Sequence, residues 1–474
     1  MFTFETMISE LLKNDQASID AFFSCHQEQL GKSLKIIQHK ISVSEFIPIS
    51  ARQWRHLTQS QFASNSDTYY IQREDTSTGL GKHWLHGAGF FYIQEVAASL
   101  PASCLTARQG DIILDMCAAP GGKSTQIADT GAFVVSNEVS GSRIVALQHN
   151  LNRTSSYNTA VTSIQGWDRW ARTPLFFDHV LVDAPCSWEW TGFKSDAGTK
   201  RRREEQIHQI ARLQKDLLTS AIKACKVGWT IIYSTCTINP RENEGVLSDA
   251  LEKFGTDICL VKVDIPKASV GITSREGKNL LTEDQASMVA RFWPHIQKTW
   301  GFFIAKIQKV ANTFIDAPIS PSKYAQPVSQ LDISDSLQER ISTILNNTYG
   351  ITIDPNEHFF VWSQKQIYLA HPLYKNIHGA IYSEKTGIPI FKVDGKELRP
   401  LHWLWNCLWH LATKNTLSLP EEVLQNYSEG FDIPRDTSWW EVTASDKYCI
   451  LQRWTYGISV GKIVGDTLKN KFAK

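Results

Sequence analysis

The chain has 474 residues, enough for about two to four domains and at least one substantial hydrophobic core. Its formal net charge of +1 does not indicate a nucleic-acid partner, so any RNA contact must come from local patches. The sequence contains no apolar run long enough to cross a bilayer and no secretory signal, so we expect a cytoplasmic protein without membrane contacts.

Four segments of different character follow one another along the chain. Residues 1–80 have a helical pattern at first and then a mixed pattern of helix and strand, which predicts an N-terminal α/β extension. Residues 81–312 alternate short apolar runs with amphipathic segments, and 313–335 contain the prolines and serines of a linker. Residues 336–474 are rich in aromatic side chains and predict one or two small α+β modules.

The central segment has the pattern of an α/β domain. Helices are predicted over 142–151 and 204–226. Between and around them, β-branched runs bounded by turn residues predict strands at 112–114, 133–135, 161–164, 180–182, 230–233 and 301–305. Alternating strands and helices indicate βαβ units and a mostly parallel sheet, in which the last strand could be antiparallel.

A glycine-containing loop, DMCAAPGGKS at residues 115–124, follows the first of these strands and opens a helix. Its small residues allow backbone N–H groups to approach a ligand, and a helix N-terminus favours a carboxylate, which suits an adenosyl cofactor. The spacing of a Walker A loop and the G-x-G-x-x-G pattern are both absent. Simple turn geometry would explain such a loop equally well.

Glu138 ends the next predicted strand, where a carboxylate can accept hydrogen bonds from both hydroxyls of a ribose. A surface carboxylate at a strand end is the alternative interpretation. The nine cysteines include no CxxC pair and the fourteen histidines show no ligand spacing, so no metal site is expected.

Two cysteines follow predicted strands: Cys186 in DAPCS and Cys236 in YSTCTINP. The carboxyl ends of strands line the ligand crevice of such a sheet, so both thiols should face the cofactor loop. A thiolate that adds to carbon 6 of a cytosine makes carbon 5 nucleophilic, and an acid and a base then assist methylation and release. The target base must be unpaired or flipped to reach the thiolate.

Together, DMCAAPGGKS, DAPCS and YSTCTINPRENE resemble the motifs of the bacterial RNA cytosine-5 methyltransferase family. FYIQE at 91–95, GFF at 301–303 and GKIVG at 461–465 support the resemblance. It implies a Rossmann-like S-adenosylmethionine methyltransferase core, with an N-terminal RNA-binding extension and C-terminal PUA-like RNA-binding modules. The implied reaction is methylation of carbon 5 of a cytosine in small-subunit (16S) ribosomal RNA, and we expect a monomer.

The resemblance also implies residue roles. Cys236 is the implied nucleophile and Cys186 helps to release the product, an order that the residues alone do not decide. Asp183 is implied to lie between cofactor and target base. The implied cofactor-binding residues are Cys117, Ala118, Ala119, Pro120, Gly121, Gly122, Lys123, Glu138, Gln165 and Asp183.

The chain departs from the family pattern at several positions. Gln165 stands where the family has an acidic residue that contacts adenine; its side-chain oxygen can still accept a hydrogen bond, and Asp168 is the nearest carboxylate. Tryptophan replaces expected glycines at positions 188, 190, 229 and 300. Three explanations stay open: the indoles stack on RNA bases, the chain has lost activity but kept RNA binding, or tryptophan was written for glycine when the sequence was obtained.

Two other functions therefore stay open. The motifs serve the chemistry and not the choice of RNA, so a transfer-RNA cytosine is an alternative substrate. Trp188 and Trp190 favour a non-catalytic RNA-binding factor in ribosome assembly. The clearest basic run, KRRR at 200–203, suits RNA, although a solvated helix start would explain it as well.

Overall fold

A computed structural model describes most of the chain. Of residues 200–203 it describes the backbone alone. The described residues are 4–25, 31–52, 54, 56–62, 67–73, 79–164, 170, 175–187, 200–312, 333–363, 365–378, 381, 383–395, 397–435, 440, 448–454 and 456–471. Gln165, Asp168, Trp188 and Trp190 lie outside them, as does the predicted linker up to residue 332.

The N-terminal region is a small antiparallel sheet with short helices. Its strands have the order β2-β3-β1-β4. A capping box, in which Ser42 and Glu45 bond each other's backbone N–H groups, fixes the start of one helix. The elements are α1 Phe4–Leu11, α2 Gln16–Ser24, β1 Ser33–Ile36, α3 Val43–Ala51, β2 His56–Gln59, β3 Thr68–Gln72, α4 Trp84–Gly87 and β4 Phe91–Ile93.

The central region contains the predicted α/β sheet, to which three strands (β10, β13 and β14) are added in antiparallel pairings, and a separate two-stranded sheet, β11-β12. Its strands are β5 Ile112–Asp115, β6 Phe133–Asn137, β7 Thr159–Thr162, β8 Phe177–Asp183, β9 Cys225–Thr235, β10 Ile258–Val261, β11 Ser274–Arg275, β12 Lys278–Asn279, β13 Ala290–Phe292 and β14 Phe302–Lys309. Its helices are α5 Val96–Cys104, α6 Gly122–Ala128, α7 Gly141–Arg153, α8 Lys200–Ala224, α9 Glu244–Phe254, α10 Glu283–Met288 and α11 Pro294–Gln297.

The strand order of this sheet places the functional edge. Within the described residues the order is β10-β14-β9-β8-β5-β6-β7, and β13 also pairs with β14. The five strands from β9 to β7 are parallel, and β14 runs antiparallel to β9. The direction in which the chain adds strands to the sheet therefore reverses between β5 and β8, and a ligand crevice is expected at such a switch point.

All six predicted strands are present, although the bounds of each differ from the prediction by one to five residues at one or both ends. The strand predicted at 161–164 covers Thr159–Thr162, because the N–H of Ile164 leaves the ladder and donates to Asn137 Oδ1 at 2.9 Å. The helix predicted to residue 226 ends at Ala224, where β9 begins. Strand residues such as Leu114, Val180 and Ile231 are fully buried, as expected of a parallel sheet covered on both faces.

The C-terminal region forms two antiparallel-rich modules that are consistent with a PUA-like fold. Their sheets have the orders β15-β16-β18-β19 and β20-β22-β23-β24-β21, while β17 pairs with β7 of the central sheet. The elements are α12 Asp335–Tyr349, β15 Phe359–Ser363, β16 Gln366–Ala370, α13 Tyr374–His378, β17 Lys385–Thr386, β18 Ile388–Asp394, β19 Glu397–Pro400, α14 His402–Leu408, β20 Thr416–Ser418, α15 Glu421–Glu429, β21 Ile433–Pro434, β22 Tyr448–Arg453, β23 Tyr456–Val464 and β24 Thr467–Asn470.

Two elements do not follow the predicted boundaries between segments. β4 at Phe91–Ile93 belongs to the N-terminal sheet although it lies beyond residue 80, and α12 begins inside the predicted linker. The division into segments stays a prediction. Over the part of the chain that is described, no helix combines the length and apolarity needed to span a membrane.

Candidate active site

The predicted site residues converge on one edge of the central sheet. The glycine loop follows β5, Glu138 follows β6, Asp183 ends β8 and Cys236 follows β9. Because β9, β8, β5 and β6 are neighbours in that order, the loop lies between the two carboxylates, and the cysteines lie on the side of Asp183. The sequence interpretation placed these residues together, and the fold brings them together.

The loop is held by its own backbone and by two side chains outside it. Gly121 adopts φ +109°, a left-handed conformation that favours glycine, and precedes the first residue of α6. The carbonyl of Pro120 accepts hydrogen bonds from Asn150 Nδ2 at 2.9 Å and from the Tyr92 hydroxyl at 3.3 Å. A Cβ added at Gly122 would lie 3.1 Å from the Tyr92 ring, so this position has little room for a side chain.

Burial and nearby charges raise the pKa values of two side chains of the loop. Burial raises the pKa of Asp115 to about 6, against a hydrogen bond from Ser124 Oγ at 2.7 Å. Burial, followed by the nearby carboxylates of Asp115 and Asp183, raises the pKa of Cys117 far above its usual range. Cys117 is therefore a neutral thiol and is unsuited to be a nucleophile, in keeping with its predicted place in the cofactor loop.

Glu138 is connected to the loop through Arg143, a residue that the sequence interpretation missed. The carboxylate of Glu138 accepts from the backbone N–H of Ser140 at 2.9 Å and pairs with Arg143 Nη1 at 3.0 Å. Arg143 Nη2 in turn donates to the carbonyl of Ala119 at 2.6 Å. Side-chain exposure is 3% for Glu138 and 54% for Arg143, so the arginine lies over the carboxylate on its solvent side.

Asp183 is held by one residue of helix α6 and one residue of strand β9. Lys123 Nζ lies 2.7 Å from Asp183 Oδ2, and Ser234 Oγ donates to Oδ1 at 2.8 Å. Lys123 also lies over the ring of Phe302, 5.8 Å from its centroid. The carboxylate is thereby fixed between the glycine loop and the strand that precedes Cys236.

The two cysteine side chains meet in front of this carboxylate. The Sγ atoms of Cys186 and Cys236 lie 2.7 Å apart, longer than the roughly 2.05 Å of a disulfide bond. Cys186 is buried and Cys236 is half-buried. Two thiols at this separation can both reach one bound pyrimidine.

The donor set fits S-adenosylmethionine. Residues 116–121 connect β5 to α6, and Glu138 and Asp183 lie at the ends of the strands on either side of β5. Carboxylates in those places suit ribose hydroxyls and a positively charged sulfonium group. In the described part of the chain, no group of histidine, cysteine and acidic side chains could hold a metal ion.

The described tryptophans do not all belong to the site. Trp229 packs edge-on against His179, with 5.0 Å between the ring centroids, near the start of β8 and at the opposite end of that strand from Asp183. The backbone N–H of Trp300 donates to Glu95 Oε1 at 3.4 Å. Burial raises the pKa of the Glu95 carboxyl to about 7, although hydrogen bonds from backbone N–H groups, including that of Trp300, act to lower it.

The comparisons with known proteins agree with this geometry. A family model for 16S rRNA methyltransferase RsmB/F matches residues 102–308, and one for the N-terminal domain of 16S rRNA methyltransferase RsmF matches residues 2–96. The chain is 30% identical over 463 residues to ribosomal RNA small subunit methyltransferase F of Vibrio cholerae serotype O1 (strain M66-2), covering 96% of this chain and 93% of that protein. It is 30% identical over 480 residues to the protein of the same name from Photobacterium profundum, covering 99% and 95%.

Two solved structures are similar to somewhat less than two thirds of this chain. A methyltransferase homologue from Pyrococcus horikoshii is 26% identical with a TM-score of 0.53, covering 62% of this chain and 91% of that one. NSun6 from Pyrococcus horikoshii, crystallised with SFG, is 20% identical with a TM-score of 0.53, covering 65% of this chain and 97% of that one. At this level of identity the similarity supports the fold and nothing more specific.

These similarities confirm three predictions: the Rossmann-like methyltransferase fold, the RNA methyltransferase class and S-adenosylmethionine as the cofactor. The roles of single residues stay predictions. The chain belongs to the ribosomal RNA small subunit methyltransferase F family.

Proposed function

We propose that the chain transfers a methyl group from S-adenosylmethionine to carbon 5 of a cytosine in small-subunit ribosomal RNA. The 2.7 Å separation of the Cys186 and Cys236 sulfurs, beside the Asp183 carboxylate, is the observation that carries the proposal. The relatives named small subunit methyltransferase F, which match this chain over nearly its full length, support the choice of RNA.

In the proposed reaction, the Cys236 thiolate forms a bond to carbon 6 and the electron pair of the 5,6 double bond makes carbon 5 nucleophilic. S-adenosylmethionine supplies an electrophilic methyl group when it is bound. Asp183 would hydrogen-bond the base and orient it, and its contacts with Lys123 and Ser234 support that role. After methyl transfer a base takes the carbon 5 proton, the electron pair of that C–H bond re-forms the 5,6 double bond, and the Cys236 thiolate leaves; Cys186 assists that release.

The cofactor would be held by residues 117–123, Glu138 and Asp183. Because β5 and β8 are neighbouring strands, a cofactor bound at these residues would have its methyl group near the thiols. Gln165 stays a predicted contact of the adenine. The order of the two cysteines rests on the family pattern.

The same proposal extends to the partner and its location. The N-terminal extension and the C-terminal modules would bind the RNA. One chain carries the cofactor loop and both thiols, so we propose that it acts as a monomer in the cytoplasm. Size measurement by light scattering tests the monomer directly.

Radiolabel transfer tests the activity. The protein is incubated with labelled S-adenosylmethionine and small ribosomal subunits that lack the modification, and the labelled nucleotide is identified. We expect label at a cytosine with the unmodified chain, and no label with Cys236→Ala. Labelling of transfer RNA would identify the alternative substrate, and RNA binding without label would indicate an assembly factor.

A second assay separates the two thiols. We expect Cys186→Ala to accumulate a protein–RNA adduct that persists on a denaturing gel, because addition proceeds and release is blocked. Cys259→Ala is the matched control, since this exposed cysteine lies in β10, an outer strand of the sheet. Recovery of only RNA-free protein from Cys186→Ala would contradict the two-thiol scheme.

A further inference from the structure

The segment after Cys236 contains two consecutive side chains that no proposed chemical step uses. Glu242 and Asn243 are both fully buried and lie just before α9. Buried polar side chains of this kind are retained when their hydrogen bonds fix a particular arrangement. Their partners are the chain neighbours of the two cysteines.

Glu242 holds the residues on both sides of Cys186. Its carboxylate accepts the backbone N–H of Ser187 at 2.9 Å and also the hydroxyl of that serine. Gln214 of α8 donates from the same amide nitrogen to Glu242 Oε2 at 3.0 Å and to the Pro185 carbonyl at 2.8 Å. The residue before Cys186 and the residue after it are therefore tied to one buried Glu–Gln pair.

Asn243 holds the residues on both sides of Cys236 in the same way. Its Oδ1 accepts the hydroxyl of Thr235, and its Nδ2 donates to the carbonyl of Thr237 at 2.9 Å. Thr235, Thr237 and Asn243 are all 0% exposed, so no water competes for these bonds. Glu242 and Asn243, which are adjacent in the sequence, therefore hold the chain neighbours of different cysteines.

We propose that Glu242 and Asn243 are a pair of positioning residues that set the distance between the two thiols, Glu242 serving release and Asn243 serving addition. This inference rests on the proposed function. A carboxylate is needed at 242 because three donors converge there, whereas an amide is needed at 243 because one neighbour donates and the other accepts. Displacing a reacting group by about 1 Å can slow a reaction by about 10²-fold.

The two positions predict opposite defects. Glu242→Ala should let Cys236 add to the base but displace Cys186, so that the adduct accumulates and turnover falls by about 10²-fold. Asn243→Ala should slow adduct formation itself, and little adduct should appear. Glu242→Gln should be intermediate, because an amide oxygen can still accept one of the three donors. A general loss of packing would lower addition and release together.

Ser187→Ala allows the positioning role to be tested even if the variants at the buried positions 242 and 243 fail to fold. It removes one hydroxyl donor to Glu242 at a half-buried position, and we expect a smaller excess of adduct with turnover about tenfold slower. Asp249→Asn is the matched control: it breaks the ion pair with Lys215, the residue next to Gln214 on α8, without touching either cysteine loop. That variant should turn over normally.

Adduct and turnover are measured for each variant together with thermal unfolding. If Ser187→Ala and Glu242→Gln both release product at the normal rate while Cys186→Ala traps its adduct, the positioning role is wrong and the two-thiol scheme stands. If Cys186→Ala traps no adduct, the proposed function itself fails, whatever the other variants do.

Discussion

The ammonium group of Lys123 lies 2.7 Å from the Asp183 carboxylate and joins the cofactor loop to the strand that leads to Cys186. The pair is only partly exposed, at 12% for the lysine side chain and 26% for the aspartate side chain, so water screens it incompletely. The residue predicted to hold the cofactor is therefore also the residue that orients the predicted base-binding carboxylate.

Lys123→Met should slow methyl transfer because it leaves Asp183 with the neutral Ser234 hydroxyl as its remaining side-chain donor in this contact. We expect kcat/KM to fall by about 10- to 100-fold, measured under single-turnover conditions. Ser234→Ala is the milder comparison and should cost about tenfold or less. Equal effects of the two variants would argue against a special role for the charge of Lys123.

Glu138→Ala should weaken cofactor binding, because a carboxylate at this place is expected to accept the ribose hydroxyls. We expect the Kd for S-adenosylmethionine to rise by about tenfold or more, measured by calorimetry without RNA. Arg143→Ala should have a smaller effect, since this residue is half exposed and acts through Glu138 and the Ala119 carbonyl. Unchanged affinity in Glu138→Ala would remove this residue from the cofactor site.

Lys40→Met should change how stability depends on pH. Burial lowers the pKa of Lys40 to about 7, with the Cys407 thiol acting to raise it and Arg153 acting to lower it. Above that pH the native lysine is neutral, whereas the unfolded lysine keeps its proton to about pH 10.4. The unfolded chain then binds more protons, so this lysine makes the free energy of unfolding increase with pH over that window.

The Lys40→Met protein should show a smaller increase in the free energy of unfolding between pH 7 and pH 9. Urea denaturation at several pH values measures it. Lys40 Nζ donates to the Ala88 carbonyl at 2.6 Å, so loss of that hydrogen bond offsets part of the gain from removing the buried amine. A slope identical to that of the unmodified chain would contradict the assignment.

Asp129→Asn should destabilise the contact between the N-terminal sheet and α6. Burial acts to raise the pKa of Asp129, but the hydrogen bonds and charges of His39 and Lys35 outweigh it and hold the pKa well below its usual range. A carboxyl with a lowered pKa stabilises the fold above pH of about 4, and this contribution is lost as pH falls below that value.

At neutral pH we expect Asp129→Asn to cost about 3 kcal/mol of unfolding free energy, because Lys35 is left buried with a weaker counter-charge. The cost should shrink in acid, where the carboxylate of the unmodified chain also becomes protonated. Asp67→Asn is the control, since this partner of Lys35 is more exposed and should matter less. Equal losses at neutral pH for the two variants would contradict the role given to Asp129.

Local signals in the sequence determined the class of the protein. Short β-branched runs alternating with amphipathic helices predicted the parallel sheet, and the glycine loop and two cysteines at strand ends predicted which edge carries the chemistry. These features depend on neighbours along the chain, so periodicity and turn residues reveal them. The family motifs then supplied the cofactor and the reaction.

Only the tertiary structure decided which distant residues meet. The contact of Ser187 with Glu242 spans 55 positions, and that of Arg143 with the Ala119 carbonyl spans 24. Such pairs depend on how neighbouring strands align, and a side chain that reaches another loop has no local signature. Glu242 and Arg143 therefore stayed unassigned in the sequence, because their partners are chosen by packing and not by spacing.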